Sequence, residues 1–182
     1  MMQNVPRAQS AAGEEEMPQL SAIVITRNEA ANIGACLDSL AFCDERIVVD
    51  CGSTDATLEI ARQKGARTEF HEWRGFGLQK NYALSLATGT WVLSLDADER
   101  VKPELAAAIK SAVADGDADA WEFLRLSSFC GRQMRHSGWY PDYVLRLFRR
   151  GKVSFEDVVV HGRVICDGVV KRLRGRSFII PC

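Results

Sequence analysis

"QLSAIVITRNE", residues 19–29, decides the fold. From Leu20 to Thr26 it is short, apolar and β-branched, the pattern of a strand covered on both faces. A polar cluster, Thr26-Arg27-Asn28-Glu29, follows at once. "EAANIGACLDSLAFC" then carries Ile33, Leu37 and Leu40 at helical spacing, with Asn28 available as its N-cap. The alternation repeats along the chain. "RIVVD" reads as a second buried strand ending in the loop "CGSTD", and "ATLEIARQKGA" as a helix with Leu58 and Ile60 inward and Gly65 as its stop. "RTEFHEW" is a weaker strand, "GLQKNYALSLATG" a helix ending at Gly89, and "TWVLSL" another buried strand. "PELAAAIKSAVADG" is a helix opened by Pro103 and closed by Gly116.

This β-α-β-α-β-α-β-α order predicts an α/β fold, a mostly parallel central sheet with helices on both faces. After residue 118 the segments "DAWEFLRLSSFC", "DYVLRLFRR" and "VVHGRVICDG" alternate and contain no clear helix, which predicts an antiparallel carboxyl-terminal portion. Residues 1–18 are polar, with Pro6, Pro18 and the run Glu14 to Glu16, and are expected to form a flexible arm before a single domain over residues 19–182.

Composition narrows the function. The 182 residues, 47% hydrophobic and 26% charged, suffice for one filled core and argue against disorder. No apolar run approaches the roughly 20 residues of a membrane helix, and the first residues have no apolar signal-peptide core. Six cysteines (Cys36, Cys43, Cys51, Cys130, Cys166, Cys182) form no C-x-x-C pair, so they read as reduced, mostly core residues of a cytoplasmic protein. The net charge of -1 is polarised: from residue 121 onward 12 Lys and Arg face 5 Asp and Glu. Such a basic portion suits substrate phosphates, an anionic membrane surface or plain solvation. Nucleic acid is the weakest partner, because no recognisable module accompanies the charge.

Ligands of parallel sheets bind beyond the carboxyl ends of the strands. Three polar clusters converge there: Thr26 to Glu29, Asp50 with "CGSTD", and the acids of "WVLSLDADER", Asp96, Asp98 and Glu99. Asp96 and Asp98 flank one residue just past a strand, so a turn can aim both at one point. A hard divalent cation, Mg²⁺ or Mn²⁺, relieves their repulsion; capping the next helix is the competing use. Asp50 can accept from a ribose hydroxyl or a base N–H, or belong to an ordinary βα turn in which Asp55 caps the helix.

"ITRNEAANI", "VVDCGSTDAT", "GFGLQKNYALSLATG" and "WVLSLDADE", in this order and spacing, resemble the family 2 glycosyltransferases, and more closely the branch that adds glucose to the lipopolysaccharide inner core. The resemblance covers roughly residues 19–165. It implies a GT-A fold that takes a hexose from a UDP-sugar, glucose in that branch, and inverts its anomeric centre. The donor would occupy residues 19–118, the acceptor side residues 119–182. By the same resemblance Thr26, Asn28, Glu29 and Asp50 would hold the nucleoside, and Lys80 and Asn81 would lie near the nucleotide or its diphosphate. Asp96 would reach ribose or metal, and Asp98 would ligate the metal.

An inverting transfer also needs a carboxylate base. "VSFEDVVVHG" supplies Asp157, the favoured candidate, and Glu156, the other, where the family carries its base. His161 is a further candidate for metal or substrate contact. Close relatives in that branch read His-Glu here, whereas Gly162 follows His161 in this chain. "RQMRHSGWYPDYVLRLFRR" offers Trp139 and Tyr140 to stack on a sugar and Arg135 and Arg146 to pair with acceptor phosphates, with core packing and solvation as the plain alternatives. The implied acceptor is a lipopolysaccharide core or lipid-linked saccharide. Lys171 to Arg176 offer peripheral contact with the inner membrane. The family usually continues past "GRSFIIPC", so a truncated acceptor side, and with it a nucleotide-sugar-binding remnant, is the competing expectation. A dinucleotide oxidoreductase is excluded, since no G-x-G-x-x-G follows a strand.

Overall fold

A computed structural model describes residues 19–129, 132–133, 142–157 and 163–180. The expected arm, residues 1–18, lies outside them, as do Arg135, Trp139, Tyr140 and His161. The elements are β1 (Leu20–Thr26), α1 (Ile33–Ser39), β2 (Glu45–Asp50), α2 (Thr57–Gln63), β3 (Arg67–Phe70), α3 (Phe76–Leu86), β4 (Trp91–Asp96), β5 (Arg100–Val101) and α4 (Pro103–Asp115). There follow β6 (Ala120–Phe129), β7 (Arg132–Gln133), β8 (Asp142–Arg149), β9 (Val153–Phe155), β10 (Val164–Cys166) and β11 (Val170–Ile180).

The main sheet runs β3-β2-β1-β4-β8-β6-β11-β5. Its first four strands are parallel, and β8 is antiparallel to both β4 and β6. The carboxyl-terminal portion is therefore antiparallel around β8, with one parallel pair, β6 and β11. That pair arises because the two strands start side by side: Asp119 N and Ala120 N both donate to Val169 O, at 2.8 and 3.1 Å. β9 and β10 form a separate hairpin.

The period of two along the strands sorts their side chains into two cores. Ala22 and Val24 of β1, with Leu93 and Leu95 of β4, face Ile33 and Leu37 of α1 and Leu105 and Ile109 of α4. Ile23, Ile47, Val49 and Val92 face the other way, onto Ala83 of α3 and Phe155 of β9. Helices thus cover both faces, as the alternation requires. Gly116 closes α4 in the left-handed conformation at φ 62°, and Pro103 opens that helix.

Three local expectations change. Asn28 does not cap α1, which starts four residues later behind Asn32. In α2 the buried positions are Thr57 and Ala61, with Ile60 packed against the core and Leu58 half-buried. Gly89 does not end α3, which stops at Leu86. It is needed for closeness: a Cβ there would lie 2.8 Å from Ser21 N on β1, while its own N–H donates to Ser21 Oγ at 2.9 Å.

Candidate functional site

Register alone brings the predicted clusters together. Thr26 pairs with Asp50 across β1 and β2, and Ile25 with Asp96 across β1 and β4, so three strand ends share one rim. The rim opens into a cleft of about 380 Å³, lined by Ile25, Thr26, Arg27 and Glu29 from the first loop and Cys51 from the second. Trp73, Phe76 and Gln79 close it at one side, Asp96, Ala97 and Asp98 at the other.

The two loops nearest β1 and β2 are stitched by side chains accepting from, or donating to, backbone. Asp50, only 1% exposed, accepts from Gly52 N and Ser53 N at 2.8 Å each and from Ser53 Oγ. Ser53 Oγ in turn accepts from Asn28 N at 2.8 Å. Asn28 stands at φ 54°, a left-handed conformation Asn tolerates, and its Oδ1 accepts from Thr54 N at 2.8 Å. Asp55 accepts from Thr57 N at 3.0 Å, at the entry to α2, and from Ala30 N at 3.1 Å across the gap. The result is a rigid double loop in which Asp50 and Asn28 hold protein groups. Thr26 lines the cleft and is 6% exposed, but its hydroxyl oxygen is itself buried and has no hydrogen-bond partner among the described residues.

The rim at β4 is built from ions. Asp96 accepts from Lys80 Nζ and from an Arg146 guanidinium nitrogen, both at 2.9 Å, and that guanidinium also meets Glu99 at 2.6 Å. Glu99, 1% exposed, accepts from Asp96 N at 2.9 Å as well. Burial pushes the Glu99 carboxyl up to about 7, against the opposing pull of Arg146. Burial acts on Asp96 in the same direction, but Arg146 and Lys80 together hold it well below the usual carboxylate range. Arg146 was expected to pair with acceptor phosphates. It is instead 7% exposed and spent on two carboxylates, because β8 lies directly against β4.

Asp98 differs from both neighbouring acids. It is half-buried on the cleft wall and makes no ion pair among the described residues. Burial, and then the charge of Asp96, raise its pKa. A carboxylate so placed gains most from a cation. Among the described residues no three His, Cys, Asp or Glu side chains cluster as a metal cage. The open carboxylate of Asp98 fits an ion of the Mg²⁺ type, which takes one or two carboxylates and completes its shell with water and phosphate oxygens.

Asn81, expected near the nucleotide, has its amide engaged by β9. Its amide donates to Phe155 O at 2.8 Å and accepts from Phe155 N at 2.9 Å, a two-point clamp on β9. One turn earlier a Cβ at Gly77 would lie 2.1 Å from Glu156 O, so only glycine admits that approach. The motif "GFGLQKN" thus seats the segment bearing Glu156 and Asp157, the latter with Oδ1 close against Gly75. Lys80, next to Asn81, reaches from the same helix to Asp96. Glu156 is half-buried and Asp157 exposed.

The sequence reading missed Glu99 as the partner of Arg146, and Trp73 and Phe76 as cleft walls. The spacing of two aromatics within the polar "HEWRGFG" was the available signal for the latter pair. At the basic end, Lys171 and Arg172 pair with Asp117 at 2.5 Å and Glu122 at 2.6 Å rather than facing solvent unopposed.

Comparison with known proteins follows the same outline. The chain is 33% identical over 172 residues to the lipopolysaccharide core biosynthesis glycosyltransferase LpsC of Rhizobium meliloti (strain 1021), covering 88% of this chain and 62% of that protein. The chain thus spans about three fifths of that relative's length. S. aureus TarS 1-349 in complex with UDP shares the fold at a TM-score of 0.65 and 20% identity, over 88% of this chain and 60% of that one. Glucosyl-3-phosphoglycerate synthase from Mycobacterium tuberculosis, in complex with Mn²⁺, UDP and glucosyl-3-phosphoglycerate, superposes at a TM-score of 0.52 and 25% identity, over 59% and 44%. The mostly parallel sheet with its antiparallel flank is the GT-A arrangement of these structures. Residues 21–174 match the model of Glycosyl transferase family 2, and with a match across that much of the sheet the chain belongs to that family.

Proposed function

We propose that the chain is the GT-A domain of an inverting, cation-dependent hexosyltransferase that uses a UDP-sugar, with glucose as the hexose and a lipopolysaccharide core saccharide as acceptor. The observation that carries the reading is Asp98, a carboxylate without an ionic partner among the described residues, facing a cleft at the strand ends. Support for the donor comes from TarS, solved with UDP, and for the ion from the synthase solved with Mn²⁺ and UDP. Support for the acceptor comes from LpsC.

Asp98 would hold Mg²⁺ or Mn²⁺, whose bound charge would neutralise the departing diphosphate. Asp96 would act as the anchor of that turn, kept in place by Lys80 and Arg146. Asp50 and Asn28 would act on the nucleoside through the loop they brace. Asp157, or Glu156 beside it, would take the proton of the acceptor hydroxyl while that oxygen bonds to the anomeric carbon. The bond from that carbon to the diphosphate breaks, and its electron pair leaves with the nucleotide. Residues 19–118 would serve the donor and residues 119–182 the acceptor. The proposed place of action is the cytoplasmic face of the inner membrane; among the described residues no helix is long and apolar enough to cross a membrane.

Calorimetric titration of UDP, with and without Mn²⁺, tests the reading on the wild type and on Asp98→Ala. Binding that needs the cation and is lost in the variant is expected. A folded wild type that ignores UDP in both conditions would overturn the uridine donor. The competing reading, a remnant that binds donor without transferring it, is favoured by Gly162 standing after His161, and an acceptor assay separates the two.

A further inference from the structure

The short strand β9 offers hydrogen-bonding groups on two edges, and among the described residues only β10 pairs with it as a strand. In an antiparallel pair successive residues turn their N–H and C=O groups to opposite edges. Glu156 N donates to Arg163 O at 3.0 Å, toward β10, so Phe155 turns its own N and O to the other edge. Asn81 of α3 meets both, its amide donating to Phe155 O at 2.8 Å and accepting from Phe155 N at 2.9 Å. One side chain thus serves as a neighbouring strand would, immediately before the two acids proposed as the base.

The ring of Phe155 anchors β9 without help from that amide: Phe155 is 6% exposed and packs edge to face on Phe148 with centroids 6.1 Å apart. What the amide adds is the height and register of the backbone that leaves the core, for Glu156 is half-buried and Asp157 exposed. The same helix meets that backbone again one turn earlier, where a Cβ at Gly77 would lie 2.1 Å from Glu156 O and 3.0 Å from Asp157 Cα. Lys80, next to Asn81, reaches across to the Asp96 carboxylate at 2.9 Å. Adjacent residues of one helix therefore hold the acidic turn that carries Asp98 and the segment that carries Glu156 and Asp157. A displacement at the anomeric carbon sets the attacking hydroxyl and the departing diphosphate on opposite sides of that carbon, so the separation of base and cation is the quantity to be fixed.

We propose that Asn81 is a positioning residue for the transfer: through Phe155 it sets where the carboxylate of Asp157, or of Glu156, stands relative to the acidic turn. The proposal rests on the transferase reading above and adds to it how the base is held.

Turnover of UDP-glucose with a deacylated lipopolysaccharide core saccharide and Mn²⁺ is compared in the wild type, Asn81→Ala and Gly77→Ala, each rate expressed per UDP-binding site counted by calorimetry. Misplacing the base by about 1 Å should lower kcat on the order of a hundredfold in both variants and leave UDP affinity and the KM for UDP-glucose near wild type. Asn81→Asp, which keeps the bond from Phe155 N, should lose less, and it carries the test where Asn81→Ala fails to fold. In Asp157→Asn or Glu156→Gln, whichever proves to lower transfer, adding Asn81→Ala should cost little more, since a base already removed gains nothing from placement. Wild-type kcat per binding site in Asn81→Ala would overturn the proposal and leave the clamp a matter of stability alone. Losses that multiply in the double variant, or UDP binding that weakens along with kcat, would overturn it too, as distortion reaching beyond the base. A wild type that binds UDP yet transfers nothing would remove the transferase reading, and this proposal with it, a result distinct from both.

Discussion

The rim after β1 and β2 and the rim after β4 solve the same problem with different chemistry. The first is closed by short polar side chains bonded to backbone within and between two neighbouring loops, as Asp50 does with Gly52 and Ser53. The second is closed by buried ions, and its cation, Arg146, lies 47 residues beyond Glu99 and 50 beyond Asp96. Breaking a local loop bond costs one hydrogen bond's satisfaction; removing the partner of a buried ion leaves a charge in low dielectric. The loops after β1 and β2 are therefore robust and autonomous, whereas the acidic turn exists in its present shape only once β8 has joined β4. One consequence is functional: Asp98, the acid proposed to hold the cation, stands between Asp96 and Glu99, which a network spanning both halves of the sheet holds in place.

The sharpest way to break the comparison is to remove the shared cation. Arg146→Met should lower the unfolding free energy by about 3–5 kcal/mol, read from urea denaturation, because Asp96 and Glu99 lose their common partner. Adding Glu99→Gln to that variant should recover part of the loss by deleting one uncompensated charge. A single variant as stable as the wild type would mean that the ions at β4 are no more costly to break than the hydrogen bonds at β1 and β2.

This contrast also explains what was legible in the sequence. The buried strands announce themselves by β-branched runs such as "IVIT" and "RIVVD", and register then fixes the rim without further information. The rim positions of Asp50, Asp96 and Asp98 are legible because each stands at or just past the end of a buried strand. Their partners were not, since nothing local tells that Arg146 will face Glu99 or that Asn81 will clamp Phe155, 74 residues away. Asn81 and Arg146 read as ligand-binding groups because polar side chains in a motif look alike until their protein partners are placed. For Trp73 and Phe76 the polar setting of "HEWRGFG" is the one local signal, and their exposure in the fold is what makes them cleft walls.

At the other rim the expected effect is smaller. Asp50→Ala removes the acceptor of two backbone N–H groups and one hydroxyl, and should cost about 1–3 kcal/mol in the same denaturation assay. Its mark should be local: faster hydrogen exchange at Gly52 and Ser53, with Asp96 and Asp98 undisturbed. If exchange instead rose throughout the acidic turn, the two rims would be one cooperative unit and the separation argued above would fail.

The finest probe uses two thiols that sit at the two rims. Cys36, buried on α1, donates through Sγ to Asp96 O at 3.6 Å, and burial raises its pKa to about 12 from an ordinary 9.0. Cys51 lines the open cleft, and burial raises its pKa as well. Between pH 9 and 12 the folded state keeps the Cys36 proton that the unfolded chain releases, so the unfolded state binds fewer protons and stability falls as pH rises. The contribution is fully present below pH 9; at pH 10 its loss amounts to about 1.4 kcal/mol. Cys36→Ala should therefore flatten the alkaline limb of the stability profile by that amount relative to the wild type. A thiol-specific reagent at neutral pH should label Cys51 while sparing Cys36 until the protein unfolds. Equal labelling of the two would show that the buried, ion-built rim opens as readily as the hydrogen-bonded one, and would reduce the contrast between them to one of residue type alone.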